Sequence, residues 1–224
     1  MQKLTSLKKL GVSANSKILL VFPHPDDEAV FTGGLIQFSL KARADLKLIV
    51  LTKGESSTLR HGLKETQDLA IEREKELKKA CTLLGLKNCT QCSYADGSLG
   101  STQHEVTEFL YEQIKSYNPD FVVTYEPQGV YGHVDHVLTS KIITSLKHEL
   151  NFKILYATIH LDSEVTKEVF PLEPNIMLEL SSLDLVKKLF AVLSHKSQFR
   201  VHKLDSWKWI KLAISKKEYF HLMY

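Results

Sequence analysis

The sequence predicts an α/β fold: three layers, α/β/α, around a Rossmann-like and mainly parallel sheet. Short apolar runs of about five or six residues recur along the chain, as is typical of strands that are buried on both faces. Segments with helical periodicity separate these runs, and such alternation favours parallel strands joined by crossover helices. With 224 residues and 43% hydrophobic content, the chain predicts one domain over residues 1–224.

Five strands are predicted in chain order, at Lys17–Phe22, 46–51, Asn88–Tyr94, 120–125 and Lys153–Thr158. Helices are expected between them at 28–44, 65–84, Gln103–Tyr117 and from residue 136 to about 150. Beyond residue 158 the pattern weakens, which predicts a less regular C-terminal extension. It holds a candidate strand at 176–180, a helix at 183–195, an ambiguous segment at 207–214 and a tail at 219–224. In a sheet of order 3-2-1-4-5, the first and fourth strands are neighbours at the switch point where such folds bind ligands.

Two polar clusters follow those two strands. The stretch Pro-His-Pro-Asp-Asp-Glu at residues 23–28 groups an imidazole and three carboxylates at the end of a buried run. So much charge against a core needs a partner, and a divalent cation is the obvious one. The second cluster is Gly-His-Val-Asp-His at residues 132–136. Because both lie at carboxyl ends of neighbouring predicted strands, we expect them to share one metal ion.

Two imidazoles and one carboxylate form a common catalytic zinc set that leaves a fourth position open. We predict His24, Asp27 and His136 as the ligands. Fe²⁺ could fill the same set in a reducing cytosol. Glu28 is predicted to be a carboxylate of the first helical turn rather than a ligand.

Three further residues are candidates for acid–base work. Asp26, next to a ligand, can take a proton from a water that the metal has made more acidic. His133 precedes His136 by one helical turn and, when protonated, can donate to a developing oxyanion or leaving group. Asp135 can orient His133, or serve as a helix N-terminal carboxylate, and the two roles are compatible. This machinery suits metal-assisted hydrolysis of an amide or ester.

The motif at residues 23–28, together with Gly-Val-Tyr-Gly-His-Val-Asp-His at 129–136, resembles the LmbE/PIG-L family of zinc-dependent N-deacetylases. Supporting matches are Thr-Lys-Gly-Glu at 52–55, Arg-Glu-Lys-Glu-Leu at 73–77, Asp-Gly at 96–97 and His-Lys-Ser-Gln at 195–198. The resemblance spans most of the chain. It implies removal of an acetyl group from an N-acetylglucosaminyl conjugate.

The resemblance also implies roles for individual residues. It implies that His24, Asp27 and His136 are the zinc ligands and that Asp26 is the general base. It also implies that His133, together with Asp135, stabilises the oxyanion or acts as the general acid. It places four more residues near the sugar conjugate: Arg73, Asp96, Tyr131 and Glu55. Val134 departs from the proline of many members, which should leave the ligand geometry intact. Residues 161–174 match nothing in the family, so the aglycone stays open, as do the roles of His195, Trp207 and Trp209.

Several residues have two interpretations. Arg73 and Glu76 fall on the apolar stripe of the helix at 65–84, either as an internal ion pair or with the arginine reaching a pocket. The glycine pair at 33–34 favours close helix–sheet packing over phosphate binding.

The three cysteines fit a reducing cytosol better than a disulfide scaffold. Cys89 and Cys92 are three apart on a predicted strand and should point to opposite faces, which argues against a functional pair. Cys81 is interpreted as a small core residue.

Composition limits the partners. A net charge of +3, mixed along the chain, indicates neither nucleic acid nor a membrane surface and is compatible with an anionic small-molecule substrate. No apolar run approaches the length of a membrane span and no signal peptide is recognised, so we expect a cytoplasmic protein. A homo-oligomer is left open. Two alternatives to the deacetylase remain: a metal-dependent hydrolase of a carbamoyl or ester bond, and a non-catalytic sugar-binding module.

Overall fold

A computed structural model describes residues 1–60, 66–160, 169–199, 211 and 215–223. Within these residues, eight strands form one sheet: β1 (Gln2–Leu4), β2 (Lys17–Phe22), β3 (Asp45–Thr52), β4 (Asn88–Tyr94), β5 (Phe121–Tyr125), β6 (Lys153–Thr158), β7 (Ile176–Glu179) and β8 (Lys217–Met223). Their order across the sheet is β1-β7-β8-β6-β5-β2-β3-β4. The part β4-β3-β2-β5-β6 is parallel and has the predicted order 3-2-1-4-5. The predicted fold class is therefore confirmed.

The described helices are α1 (Asp27–Lys41), α2 (Thr66–Leu84), α3 (Gln103–Tyr117), the short α4 (Gly129–Gly132), α5 (Val134–Leu146) and α6 (Ser182–Ser194), with 3₁₀ turns at Leu7–Leu10 and Leu99–Thr102. They form two layers, because side chains of β2 alternate between two cores. Leu20 and Phe22 pack with residues of α1, α2 and α6, whereas Leu19 and Val21 pack with residues of α3 and α5. None of the described helices has the length and apolarity needed to cross a membrane.

The C-terminal part is more regular than the sequence indicates. Residues 219–223 of the predicted tail belong to β8, which lies between β6 and β7 and pairs antiparallel with both, and residue 224 lies outside the described residues. Its burial alternates residue by residue, with Glu218, Phe220 and Leu222 inside, so a period-2 pattern was present but masked by the charged residues. β1 pairs with β7 and, at three residues, is too short to show any period. The segment at 207–214 lies outside the described residues apart from residue 211.

The glycine pair of α1 supports close packing. A Cβ atom on Gly33 would lie 2.8 Å from Cγ of Lys188, and one on Gly34 would lie 2.7 Å from the side chain of Leu180. The backbone N–H of Gly34 donates to Glu218, which also holds the buried Lys188 ammonium at 2.8 Å. The glycines thus let α1 approach α6 and β8, as the interpretation of close packing expects.

Candidate metal centre and active site

The sheet brings the two polar clusters together. His24 follows β2, Asp27 begins α1, and His136 lies in the first turn of α5, all three buried. The inward nitrogens, Nδ1 of His24 and Nε2 of His136, are 3.2 Å apart. The Asp27 carboxylate lies 3.7 Å from the first nitrogen and 3.8 Å from the second. The three predicted ligands therefore converge on one point at the switch point of the sheet.

Hydrogen bonds on the far side of each ring fix which nitrogen carries the proton. Nε2 of His24 lies 2.9 Å from Asp96 and 3.2 Å from Asp135, and carboxylates at neutral pH only accept. Nδ1 of His136 lies 3.2 Å from the carbonyl oxygen of Gly129, which also only accepts. Both outward nitrogens are thus donors, and both inward nitrogens can offer lone pairs.

Two lone pairs that face each other need a proton or a cation between them. Two nitrogen ligands of a tetrahedral zinc ion, each about 2.0–2.1 Å from the metal, would lie about 3.3 Å apart. The inward nitrogens of His24 and His136, 3.2 Å apart, match this spacing. The residues therefore fit a metal ion of this kind.

The surroundings of the three predicted ligands shift their pKa values. Burial alone would lower the pKa of His24, but Asp135 and Asp96 beside its ring raise that pKa to about 10. Burial, followed by the positive charge of His24, lowers the pKa of His136 well below its usual value. Burial also raises the pKa of Asp27 to about 7, although His24 opposes it.

The distances also allow other ligand sets. Among the described residues, two groups have ligand atoms within 4.8 Å of one another: His24, His133 and His136, and His24, Asp96 and Asp135. Asp27 is in neither group. Its Oδ1 accepts a 2.5 Å hydrogen bond from the Tyr125 hydroxyl, and its Oδ2 accepts one of 3.0 Å from the backbone N–H of His24. The choice of Asp27 as third ligand stays a prediction.

Asp26 lies beside the ligands in a constrained backbone. It is the N-cap of α1 and has a φ of 105°, a region that non-glycine residues rarely adopt. Its N–H donates to Glu28, whose other oxygen lies 2.8 Å from Nε2 of His195. Glu28 therefore belongs to the first turn, as predicted, but it is fully buried and ties that turn to His195. The Asp26 carboxylate lines the cleft and lies 3.2 Å from Nη2 of Arg73.

The contacts of Arg73 support the interpretation in which this arginine reaches a pocket. It donates to the carbonyl oxygen of Gly54 at 2.8 Å and to that of Pro25, and it lines the cleft. Glu76 faces elsewhere and accepts from the N–H and the hydroxyl of Ser197, each at 2.6 Å. Arg73 thus clamps the loop that carries Asp26, while its contact with a sugar conjugate stays a prediction.

Asp135 is placed differently from the expectation. Its carboxylate turns to His24 and accepts from the backbone N–H groups of Gly97 at 2.7 Å and Leu99 at 3.3 Å. Only its backbone N–H meets His133, whose Nδ1 accepts at 3.2 Å. The physical reason is that Asp135 lies in the first turn of α5, so its side chain points to the neighbouring loop after β4. The expected orientation of His133 by this carboxylate is corrected to an orientation by the backbone.

Three of the other predicted residues, Asp96, Tyr131 and His133, line the same cleft, which has a volume of about 450 Å³. The Tyr131 hydroxyl lies 3.4 Å from Nε2 of His136. Glu55 accepts from the N–H of Asp96 at 3.0 Å and so holds the Asp96 loop. Val134 is 64% exposed.

Two residues of the site, Tyr125 and His195, were not predicted from the sequence to have a role there. Tyr125 donates to Asp27 and stacks on His136 with ring centroids 4.0 Å apart. Its signal was its position, the last residue of a buried strand just before the second cluster. His195 was noted only through a motif match, and its bond to Glu28 could not be inferred because 167 residues separate the two.

Fold and site define the class: an α/β protein with a histidine–aspartate metal-type group at the carboxyl edge of its parallel strands. The family model described as PIG-L, GlcNAc-PI de-N-acetylase, matches residues 19–147, and the chain belongs to this family. This confirms the resemblance inferred from the motifs.

Named relatives are deacetylases. The chain is 29% identical over 192 residues to a probable N-acetyl-alpha-D-glucosaminyl L-malate deacetylase 2 of Bacillus anthracis, with 81% of each chain covered. It is 31% identical over 163 residues to a 1D-myo-inositol 2-acetamido-2-deoxy-alpha-D-glucopyranoside deacetylase of Corynebacterium diphtheriae, covering 63% of this chain and 56% of that one. The structure of N,N'-diacetylchitobiose deacetylase from Pyrococcus horikoshii superposes with a TM-score of 0.72 at 25% identity, covering 93% of this chain and 84% of that one.

Proposed function

We propose that this protein is a zinc-dependent hydrolase that removes the N-acetyl group from a small N-acetylglucosamine-type conjugate. The observation that carries the proposal is the pair of inward lone pairs on His24 and His136, 3.2 Å apart, with the Asp27 carboxylate beside them. Asp26 lines the same cleft as His24 and Asp27. The names of the relatives support the substrate class.

In this proposal, His24, Asp27 and His136 hold the ion. A bound zinc ion would supply Lewis acidity, which polarises an amide carbonyl and makes water a stronger acid. Asp26 takes the proton of the attacking water, and Arg73 keeps its carboxylate in place from the other side.

His133 would stabilise the oxyanion with its imidazole ring in the neutral form. Its Nδ1 accepts from the backbone N–H of Asp135, so the proton of the neutral ring sits on Nε2. That N–H can donate to the oxygen on which negative charge develops. Asp135 and Asp96 keep the His24 ring oriented, as carboxylates behind ligand histidines do.

An amine-release assay tests the proposed reaction. Zinc-reconstituted protein is given N-acetylglucosaminides with different aglycones, N-acetylated chito-oligosaccharides, and matched carbamoyl and ester sugars. We expect acetate and free amine in equal amounts from at least one acetamido sugar, loss of turnover after chelation, and recovery with zinc. Release from carbamoyl or ester substrates alone would support the other hydrolase, and binding without turnover of any substrate would support the sugar-binding module.

Replacing Asp135 by asparagine tests whether its carboxylate acts through His24 or through His133. If its carboxylate acts through His24, we expect zinc affinity to fall by about 10- to 100-fold and excess zinc to restore most of kcat. If it acted through His133, zinc affinity would stay unchanged and kcat would stay low at saturating zinc. Zinc titration and kcat at saturating zinc distinguish the two. Asp120→Asn, an exposed site at the opposite edge of the sheet, is the matched control.

A further inference from the structure

A second cleft lies away from the candidate active site, between α2 and β4. It has a volume of about 440 Å³ and is lined by Cys81 and Cys89 among other residues. The two sulfur atoms are 2.9 Å apart, with the Cys81 thiol donating to Cys89. The sequence argued against a pair of Cys89 with Cys92, and Cys92 indeed packs against the opposite core, as the alternation along β4 requires.

We propose that Cys81 and Cys89 form a redox-active dithiol that reacts with small-molecule disulfides and closes into an intramolecular disulfide. Both thiols are free in the structure. A disulfide bond has an S–S length of about 2.05 Å, so closure requires the sulfurs to approach by roughly 0.9 Å. The two residues are eight apart in sequence and belong to neighbouring elements, so no distant part of the fold has to move.

The two cysteines have different exposure, which orders the steps. Cys89 is half-buried, whereas Cys81 is only 4% exposed. The hydrogen bond to Cys89, together with burial, raises the pKa of the Cys81 thiol, which therefore stays protonated as the donor of this hydrogen bond. Cys89 is thus the attacking sulfur and Cys81 the resolving one.

The cleft also has cations that suit an anionic disulfide. Lys53, Lys78 and Lys87 line it, together with the single carboxylate Glu74. Glu74 pairs with Lys53 at 3.3 Å and with Lys78 at 2.7 Å. Three ammonium groups against one carboxylate give this part of the cleft a positive balance, which favours a negatively charged reagent.

The reaction balances with glutathione disulfide as oxidant. The Cys89 thiolate attacks one sulfur of the reagent, the reagent's S–S bond breaks, and one glutathione leaves as thiolate. Cys81 then attacks the Cys89 sulfur, the S–S bond between Cys89 and the second glutathione breaks, and that glutathione leaves as a thiol with the proton that Cys81 gives up. Two protein thiols are oxidised to one disulfide, and one glutathione disulfide is reduced to two thiols.

Intact mass and thiol counts test this with the reduced, zinc-loaded full chain and glutathione disulfide. We expect the wild type to lose two of its three thiols and two hydrogen atoms in mass, without a retained adduct. Cys81→Ala should retain one glutathione on Cys89, and Cys89→Ala should react far more slowly. Cys92→Ala, the matched control, should close like the wild type.

Peptide mapping of the oxidised wild type gives a measurement that needs no variant. It should find the Cys81–Cys89 cross-link. Three thiols remaining in the native wild type, a retained adduct there, or a cross-link that includes Cys92 would overturn the proposal. Circular dichroism of each variant shows that a lost reaction is not a lost fold.

Discussion

Replacing Asp26 by asparagine is expected to lower kcat by about 100- to 10,000-fold, the range for a general acid–base group, while zinc stays bound. Asp26 is proposed to take the proton of the attacking water. Burial raises the pKa of this carboxyl group, and the Arg73 guanidinium opposes the shift. A carboxylate with a raised pKa is a stronger base than an ordinary one, so its loss should fall on kcat rather than on metal binding.

Asparagine is the informative replacement because of the backbone at this position. The φ of 105° costs a non-glycine residue about 1–3 kcal/mol, and asparagine tolerates positive φ better than most residues. The backbone N–H that donates to Glu28 is kept, so the link from this turn to His195 stays intact. The variant therefore removes the basic oxygen and leaves its support in place.

The measurement is kcat with the best acetamido sugar, together with zinc content per chain by elemental analysis. Asp68→Asn, an exposed residue in the first turn of α2, makes the same chemical change away from the site and should match the wild type. Full activity in the Asp26 variant would remove this residue from the base role. Loss of zinc along with activity would make Asp26 part of the metal site instead.

The position of the site could be predicted from the sequence because it depends on rules that act over the whole sheet. Lys17–Phe22 and 120–125 are recognisable as buried strands, and a doubly wound order makes them neighbours. Once they are adjacent, the clusters that follow them have to meet at one edge. No side-chain detail is needed for that step.

The partners of individual side chains could not be predicted in this way. Asp135 faces His24, and Cys89 meets Cys81, because of how a helix and a loop sit on the sheet. Sequence spacing gives the face of an element but not which neighbour covers it. The bond between Glu28 and His195 depends on α6 returning over α1, which no local pattern records.

The third metal ligand is where the sequence prediction and the distances leave a choice. All candidate sets contain His24, and they differ in the residues that join it. The predicted set is His24 with Asp27 and His136. The first of the two close groups is His24 with His133 and His136, and the second is His24 with Asp96 and Asp135. Asp27 is outside the two close groups, and its oxygens accept hydrogen bonds from Tyr125 and from the backbone of His24. Because each carboxylate oxygen has a second lone pair, Asp27 can still bind a metal ion.

The variants His136→Gln and Asp27→Asn are each expected to lose zinc from the purified protein and to show no turnover. The loss should exceed the about 10- to 100-fold that an outer hydrogen-bond partner contributes, because a ligand itself is gone. His133→Gln should keep its zinc and lose about 100- to 1,000-fold in kcat, the usual effect of one oxyanion donor. His148→Gln, at an exposed position beyond α5, is the control for a lost imidazole.

Zinc content then decides among the three sets, independently of any substrate. Retention of zinc by the Asp27 variant with its loss from the His133 variant would give the third position to His133. Retention by the His136 variant with loss from Asp96→Asn would move the ion to the other side of the His24 ring. In that case Nε2 of His24 would be the ligand atom, and the facing nitrogens of His24 and His136 would share a proton rather than a metal ion.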